Sequence, residues 1–296
     1  MEQKTQYEIL GVSASKEEVH NAIRKLDPGL FPSAFCKAYP DNLTGSKEHC
    51  IIGHTDGAGT KSSLAYLYWK ETGDINIFRN LAHDAIAMNL DDLLCVGALG
   101  PYTFTQTIDR NKFLITEEVL EAIIDETQAF FEKMRTLYDI DITYNGGETA
   151  DVNDTVRTLV LNASMVTRML RSDFIDTTIA PGKVIIGLSS SEQASYENEY
   201  NSGIGSNGIT MEKHKLFWNM YRVQYPETYD NTIIKNAYTG KYPIATYLPE
   251  MGTTVGKLAL SPTRTYTPIV KEVLKNVPKE KLSALIHCSG AARQNV

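Results

Sequence analysis

The chain has 296 residues, 42% of them hydrophobic and 22% charged, with a formal net charge of −7. This is an ordinary globular composition, and the negative balance excludes a global basic field able to hold nucleic acid or an anionic membrane. No apolar run reaches the length of a membrane span, the polar start MEQKTQYEIL is not a secretory signal, and Cys36, Cys50, Cys95 and Cys288 form neither a CxxC pair nor a Cys/His clip, so a cytoplasmic protein with reduced thiols is expected.

SASKEEVHNAIRKL reads as a first helix, with Ser15 as cap, Glu18 completing a capping box, and Val19, Ala22, Ile23 and Leu26 on one face. CIIGH is a short apolar strand. It feeds the glycine-rich loop HTDGAGT, and a helix from Ser62 to Thr72 follows, closed by Gly73. A buried helix is expected over about 80–94 and a strand over Tyr102–Ile108. The clearest periodicity lies in TEEVLEAIIDETQAFFEKMRTLYD, where Leu120, Ile123, Ile124, Thr127, Phe130, Phe131, Met134 and Leu137 trace one stripe behind a Thr116 cap. IDITYNGGETAD reads as a strand ending in a glycine loop, and TVRTLVLNASMVTRM as a long strand. A polar seam near residue 170, with a Pro-Gly turn, divides the chain into domains 1–170 and 171–296. In the second, KVIIGLSSS reads as a strand, 191–208 as a loop, about 210–224 as a helix, SPTRTYTPIVKEVLKNV as a proline-opened helix, and LSALIHCSGAARQNV as a strand running into a loop.

Four stretches carry possible chemistry. IIGHTDGAGTKSS has the outline of a phosphate loop but not of a Walker loop: counted from Gly53, the sixth position is Ala58, and Thr60 separates Gly59 from Lys61. Asp56 would repel bare phosphate, whereas a divalent metal held by that carboxylate would bridge to it. Gly57 and Gly59 permit close backbone approach, and Lys61 at a helix start adds a point charge; a plain hairpin turn with solvated Asp and Lys fits the same residues. In MNLDDLL, adjacent Asp91 and Asp92 cannot share a helix face, so one can turn to a site while the other caps or is solvated. YNGGETAD places Glu148 where a carboxylate and backbone amides converge, suited to a metal, a sugar hydroxyl or merely a tight turn. Ser206-Asn207-Gly208 opens a helix and can present donors to an anion, or be an ordinary N-terminal turn. His54 and His287 are acid–base candidates, as single histidines that structural hydrogen bonding would equally explain.

Taken in order, Thr55–Lys61 (TDGAGTK), Asp91–Ala98 (DDLLCVGA), Gly146–Asp151 (GGETAD), Ser206–Gly208 (SNG) and Ser261–Tyr266 (SPTRTY), with YEILGVS near the start, resemble the motifs of the aminoimidazole ribonucleotide synthase family, the phosphoribosylformylglycinamidine cyclo-ligases. The resemblance implies a mixed α/β (α+β) fold of two domains. The first would contribute strands to a barrel at a homodimer interface, and the second would be an α/β domain that is incomplete here. It implies an ATP- and Mg²⁺-dependent ligase of purine synthesis acting on a small ribonucleotide: ATP phosphorylates the formyl-amide oxygen of formylglycinamidine ribonucleotide, and the imidazole closes with loss of phosphate. On the matched positions, Asp56, Asp92 and Glu148 would be the metal and phosphate-side acids, and Lys61 the phosphate cation, with Asp56, Lys61 and Asp92 the catalytic set. Gly57, Gly59, Thr60, Thr149, Ser206 and Asn207 would contact nucleotide. The chain departs from the family at Asp91, where an asparagine is usual, and at Gly205, where a histidine often precedes SNG. It departs again in the glycine-poor run His287–Ala292 and in the segment between SNG and SPTR. Other ATP-using relatives (formylglycinamidine synthetase-, selenophosphate synthetase- or thiamine-phosphate kinase-like), or a nucleotide-binding protein without turnover, are the alternatives.

Overall fold

Alternation of buried and exposed residues decides the sheet. A computed structural model of the protein describes residues 5–13 and 16–288. Helices α1 (Gln6–Ile9) and α2 (Glu17–Ile23) precede β1 (Ala38–Pro40), β2 (His49–Gly57), α3 (Lys61–Thr72), α4 (Arg79–Leu94), β3 (Tyr102–Arg110), α5 (Glu117–Tyr138), β4 (Ile142–Asp151) and β5 (Leu159–Leu170). The strands form one sheet in the order β1-β2-β5-β3-β4. Only β3 and β4 pair in parallel, as the crossover through α5 requires. Cys50, Ile52, Leu161, Ala163, Met165, Tyr102, Phe104 and Ile108 share the buried face. On the other face Thr103, Thr105, Thr107, Val160, Asn162, Val166 and Arg168 are exposed. Helices α4 and α5 cover the buried face, α4 across β2 and β5 and α5 beside β4.

Several expectations meet a different outcome. The helix at the start does form over Glu17–Ile23, but Val19, Ile23 and Leu26 are exposed; its expected cap, Ser15, lies outside the described residues. Of the expected stripe on α5, Ile123, Thr127, Phe130, Phe131 and Met134 are buried, Leu120 is half-buried, and Ile124 and Leu137 are exposed; Val119, outside the stripe, is buried in their place. GGETAD is no loop: β4 runs unbroken through it. Gly146 adopts φ +79°, and the extra residue shifts the β3–β4 register between Phe104 and Gln106, a bulge rather than a turn.

Beyond Leu170 the expected strands at KVIIGLSSS and LSALIH are extended chain outside any ladder, joined at one point by Thr178 N–H donating to the Ser283 carbonyl (2.9 Å). Val184, Ile185 and Ile186 are 83–88% exposed. A strand is defined by a partner, and among the described residues none lies beside them. Residues 289–296, the end of the last expected strand-and-loop, lie outside the described set. The single helix expected at about 210–224 is two, α6 (Ile209–Leu216) and α7 (Tyr221–Gln224), broken where Phe217 becomes extended. A two-stranded ribbon, β6 (Tyr247–Leu248) with β7 (Thr253–Thr254), leads into α8 (Val255–Ala259). SPTRTY is extended, and α9 (Thr267–Asn276) starts only after it, with proline in its first turn.

The two glycines of GGE make separable demands. A Cβ on Gly147 would lie 1.7 Å from the Gln106 carbonyl oxygen, so alanine there pushes β4 off β3; Gly146 has space around it and only its positive φ to lose. Gly147→Ala is expected to cost about 2 kcal/mol or more, and Gly146→Ala about 1 kcal/mol, both read by urea denaturation.

Candidate functional site

The buried row of β2 ends at Ile52. The same side of the strand carries half-buried His54 and exposed Asp56, which pair with Met165 and Ala163 of β5 and so lie on the face that α4 covers. Opposite them α4 carries three buried carboxylates, Asp84, Asp91 and Asp92. A buried carboxylate is tolerated only when donors or cations surround it, and each of these three finds different ones.

Asp84 Oδ1 accepts from Lys61 Nζ at 2.9 Å, from the Thr263 backbone N–H at 2.8 Å and from the Thr263 hydroxyl at 2.7 Å. Lys61 is fully buried and also donates to the Ser261 carbonyl. Burial pushes its ammonium below the ordinary lysine range, against the pull of Asp84. The residue that the resemblance makes the phosphate cation thus has its amine enclosed in a clasp between α4 and the SPTR segment. Asp91 accepts from the Thr265 hydroxyl, the Tyr266 N–H and the Thr267 hydroxyl, so it caps the turn that opens α9. Burial raises its carboxyl to about 6, with His287 and these donors opposing the rise. Asp92 faces the other way and bridges two imidazoles: His54 Nε2 at 3.0 Å from Oδ2, and His287 Nδ1 at 2.7 Å from Oδ1. The DD pair therefore divides as helix geometry requires, although neither acid is solvated.

Asn89 completes this cluster. Its Nδ2 donates to the Asp56 and Ala85 carbonyls, which leaves Oδ1 to accept from His54 Nδ1 at 3.1 Å. Both nitrogens of His54 thus face acceptors, the arrangement that holds an imidazole protonated.

The loop itself is tied to the second half of the chain. Ser206 Oγ donates to the Ala58 carbonyl (2.8 Å), and the Thr60 and Thr210 hydroxyls meet at 2.7 Å. Gly57 is required where it stands, since a Cβ would lie 2.1 Å from the Leu161 carbonyl; Gly59 has φ +55°. Asp56 is exposed, with Oδ1 accepting its own neighbour's Gly57 N–H. Ser206, Asn207, Thr263, Arg264, Tyr266 and His287 line one cavity of about 190 Å³ beside the loop. Arg264 is not free within it: a two-point pair with Glu197 and bonds to the Ser189, Ser191 and Glu192 carbonyls use its guanidinium to fold the 189–197 loop down. A larger cavity, about 490 Å³, lies at the far end of β5 against α9; Gly97 of the DDLLCVGA stretch lines it, but no residue of the glycine loop, SNG or SPTR does.

Glu148 and Thr149 are elsewhere. The register Asp56–Ala163–Gln106–Gly147 puts β4 three strand spacings from β2, about 14 Å. Glu148 pairs with exposed Thr107, on the face opposite Asp56. Asp56, Asp92 and Glu148 therefore cannot ligate one ion, and among the described residues no group of three or more His, Cys, Asp or Glu is arranged to hold a metal. The three acids that the resemblance makes magnesium- and phosphate-side groups are therefore not brought together within the chain. Among the described residues, no helix is long and apolar enough to cross a membrane. Sequence reasoning missed Asp84, Asn89 and Glu197. Asp84 sits in AHDAIAM, an acid within an apolar helical run, and that placement was the available signal.

A short glycine turn after a sheet strand, tied by Ser206 to the start of α6, marks the candidate site of a mixed α/β domain. Residues 40–169 match the family described as AIR synthase related protein, N-terminal domain. Among curated relatives, the phosphoribosylformylglycinamidine cyclo-ligase of Carboxydothermus hydrogenoformans is 27% identical over 90% of this chain and 65% of its own length. That of Staphylococcus carnosus is 29% identical over 94% of this chain and 66% of its own. The chain thus spans somewhat under two thirds of the length of these relatives. Among solved structures, T. maritima PurL complexed with ADP is similar at a TM-score of 0.35 and 12% identity, covering 60% of this chain and 28% of that one, too slight a likeness to weigh.

Two predictions arise from these clusters. Asp84→Ala leaves Lys61 buried and unpaired and is expected to cost roughly 3–5 kcal/mol, while Lys61→Met with Asp84→Leu costs clearly less than the sum of the single changes; urea denaturation of the four-member cycle measures both. For His54 and His287, burial opposes the charged ring, but hydrogen bonds and the charge of Asp92 outweigh it and raise both above 6.5. Asp92, despite burial, is held below 3.8 by the same two rings. The histidine contribution is complete below pH 6.5 and fades as pH rises through the folded values. The Asp92 contribution is present above pH 3.8 and is lost as pH falls through its folded value. The thermal midpoint should therefore decline from about pH 6 to pH 9, and Asp92→Asn should flatten that decline.

Proposed function

We propose that this chain is an ATP-dependent cyclo-ligase that closes formylglycinamidine ribonucleotide to aminoimidazole ribonucleotide, with the cavity between the glycine loop and the Ser206–Asn207 turn as its ligand site. The observation that carries the reading is convergence: GSNG and SPTR, far apart in sequence, line one cavity, and both are bonded to the glycine-loop segment, Ser206 to the Ala58 carbonyl and the Ser261 carbonyl to Lys61. The names of the relatives point the same way. In this reading the γ-phosphoryl passes from ATP to the formyl-amide oxygen, the amidine-side nitrogen attacks the activated carbon, and the carbon–oxygen bond breaks as phosphate leaves.

The chain's own part is to orient and to exclude water. The Gly57–Thr60 backbone at the start of α3 and the Ser206 and Asn207 side chains are the donors for phosphate oxygens. Asp56 is the exposed acid near the end of β2, and Thr60 is the hydroxyl in the short turn that follows. Mg²⁺ would accompany ATP, but the three expected acids do not form its cage and no step is assigned to it. We further propose a cytoplasmic homodimer, formed through the open sheet face where Val160, Val166 and Leu170 are exposed. The division into domains 1–170 and 171–296 belongs to the same reading.

A second reading, a nucleotide-binding protein without turnover, is favoured by one observation. Lys61 and Glu148, two of the charged groups expected at the site, are respectively enclosed and on the opposite face.

Purified chain incubated with formylglycinamidine ribonucleotide, ATP and Mg²⁺ is expected to release ADP and aminoimidazole ribonucleotide together. ATP binding with no product would replace the first reading by the second. Asp56→Asn is expected to weaken ATP binding at least about tenfold with little change in unfolding temperature; a variant that unfolds yet binds normally in its folded fraction would return the loop to a plain turn.

A further inference from the structure

Asp92 stands where the resemblance puts a magnesium ligand, yet both of its oxygens are engaged, Oδ2 by His54 and Oδ1 by His287. Its backbone carbonyl in turn accepts from the Cys36 thiol at 3.0 Å, and the residue is 8% exposed. Mg²⁺ requires near-octahedral oxygen ligands and gives up water reluctantly. To reach this carboxylate it would have to displace an imidazole already fixed by hydrogen bonding.

The two histidines are not equivalent. His54 uses both nitrogens, one on Asp92 and one on Asn89, and so belongs to the scaffold. His287 uses only Nδ1; among the described residues its Nε2 has no hydrogen-bond partner, and its ring lines the cavity together with Gly205, Ser206 and Asn207. Gly205 supplies no side chain to that cavity, and a Cβ there would find its nearest neighbour, Thr263 Oγ1, at 3.8 Å. An imidazole at this wall comes from residue 287, not from the position before SNG. A carboxylate on one imidazole nitrogen fixes the ring's tautomer and the direction of the other.

We propose that Asp92 is a positioning residue and not a cation ligand: it locks His54 into the scaffold and aims His287 Nε2 into the cavity as a hydrogen-bonding group for the bound ligand. The identity of that ligand rests on the proposed function; the positioning role does not.

The test is long-range ¹H–¹⁵N NMR of the histidine rings in the whole chain, combined with calorimetric titration of ATP with and without Mg²⁺. At a pH high enough to leave His287 neutral, the wild type should show one tautomer, protonated at Nδ1, and ATP should move its Nε2 signal. In Asp92→Asn the tautomers should mix and ATP affinity should fall about tenfold both with and without Mg²⁺, leaving the gain that Mg²⁺ confers unchanged. Loss of that gain in Asp92→Asn, or ring tautomers untouched by the substitution, would overturn the assignment. Mg²⁺ alone, added to the wild type, serves if the variant does not fold or if ATP does not bind. Unmoved His54 and His287 signals then support positioning, and signals displaced from their Asp92-bonded values overturn it. Failure of ATP to bind would count against the proposed function alone.

Discussion

Helix α4 buries three carboxylates in its 16 residues, and much of the molecule is arranged to satisfy them. Desolvating a carboxylate costs several kcal/mol unless donors or cations replace the lost water. The N-terminal sheet supplies only part of what they need. Asp84 takes Lys61 from the glycine loop but also the backbone of Thr263; Asp91 takes only residues 265–267; Asp92 takes His54 from β2 and His287 from near the chain's end. Each acid thus joins α4 to chain more than 170 residues away, and the cavity is the space these joints enclose. The polar cluster holds the two halves in one register, and three of its partners, Thr263, Tyr266 and His287, line the cavity.

Much of the N-terminal fold was legible because its elements obey simple periods. Leu64 to Tyr68, the α4 run and the alternation of β3 and β5 are one-dimensional signals, and each became the element its period implies. The GGETAD stretch was misread because Gly-Gly suggests a turn; only the parallel partner β3, brought in by α5, makes Gly146 a bulge and Gly147 a close approach. KVIIGLSSS has a strand's composition, but a strand needs a neighbour, and composition cannot say whether one is present. The exposed Val19 face of α2 is the same error in a helix: amphipathicity reports that a face can be buried, not that something covers it.

The site was legible as motifs but not as roles. Ser206, Asn207 and His287 do gather around one cavity, and Asp56 is near enough to His287 for its charge to act on that ring. Lys61 and Asp92 lie within the same region, but their charges are spent on Asp84 and on two histidines. Which partner a charge takes depends on neighbours distant in sequence, such as Thr263 and His287, and no local spacing encodes that. Glu148 was grouped with Asp56 by motif order, whereas strand order and parity separate them by three strands and the thickness of the sheet.

The central claim is that α4's acids bind residues 261–288 to the N-terminal half as one cooperative unit. Native-state amide hydrogen exchange tests it directly at Thr263 and Tyr266, whose N–H groups donate to Asp84 and Asp91. These amides should exchange only through the same opening that exposes the interior of α4, with matching protection across denaturant concentrations. Exchange of Thr263 and Tyr266 through a small local opening, while α4 stays protected, would contradict the account.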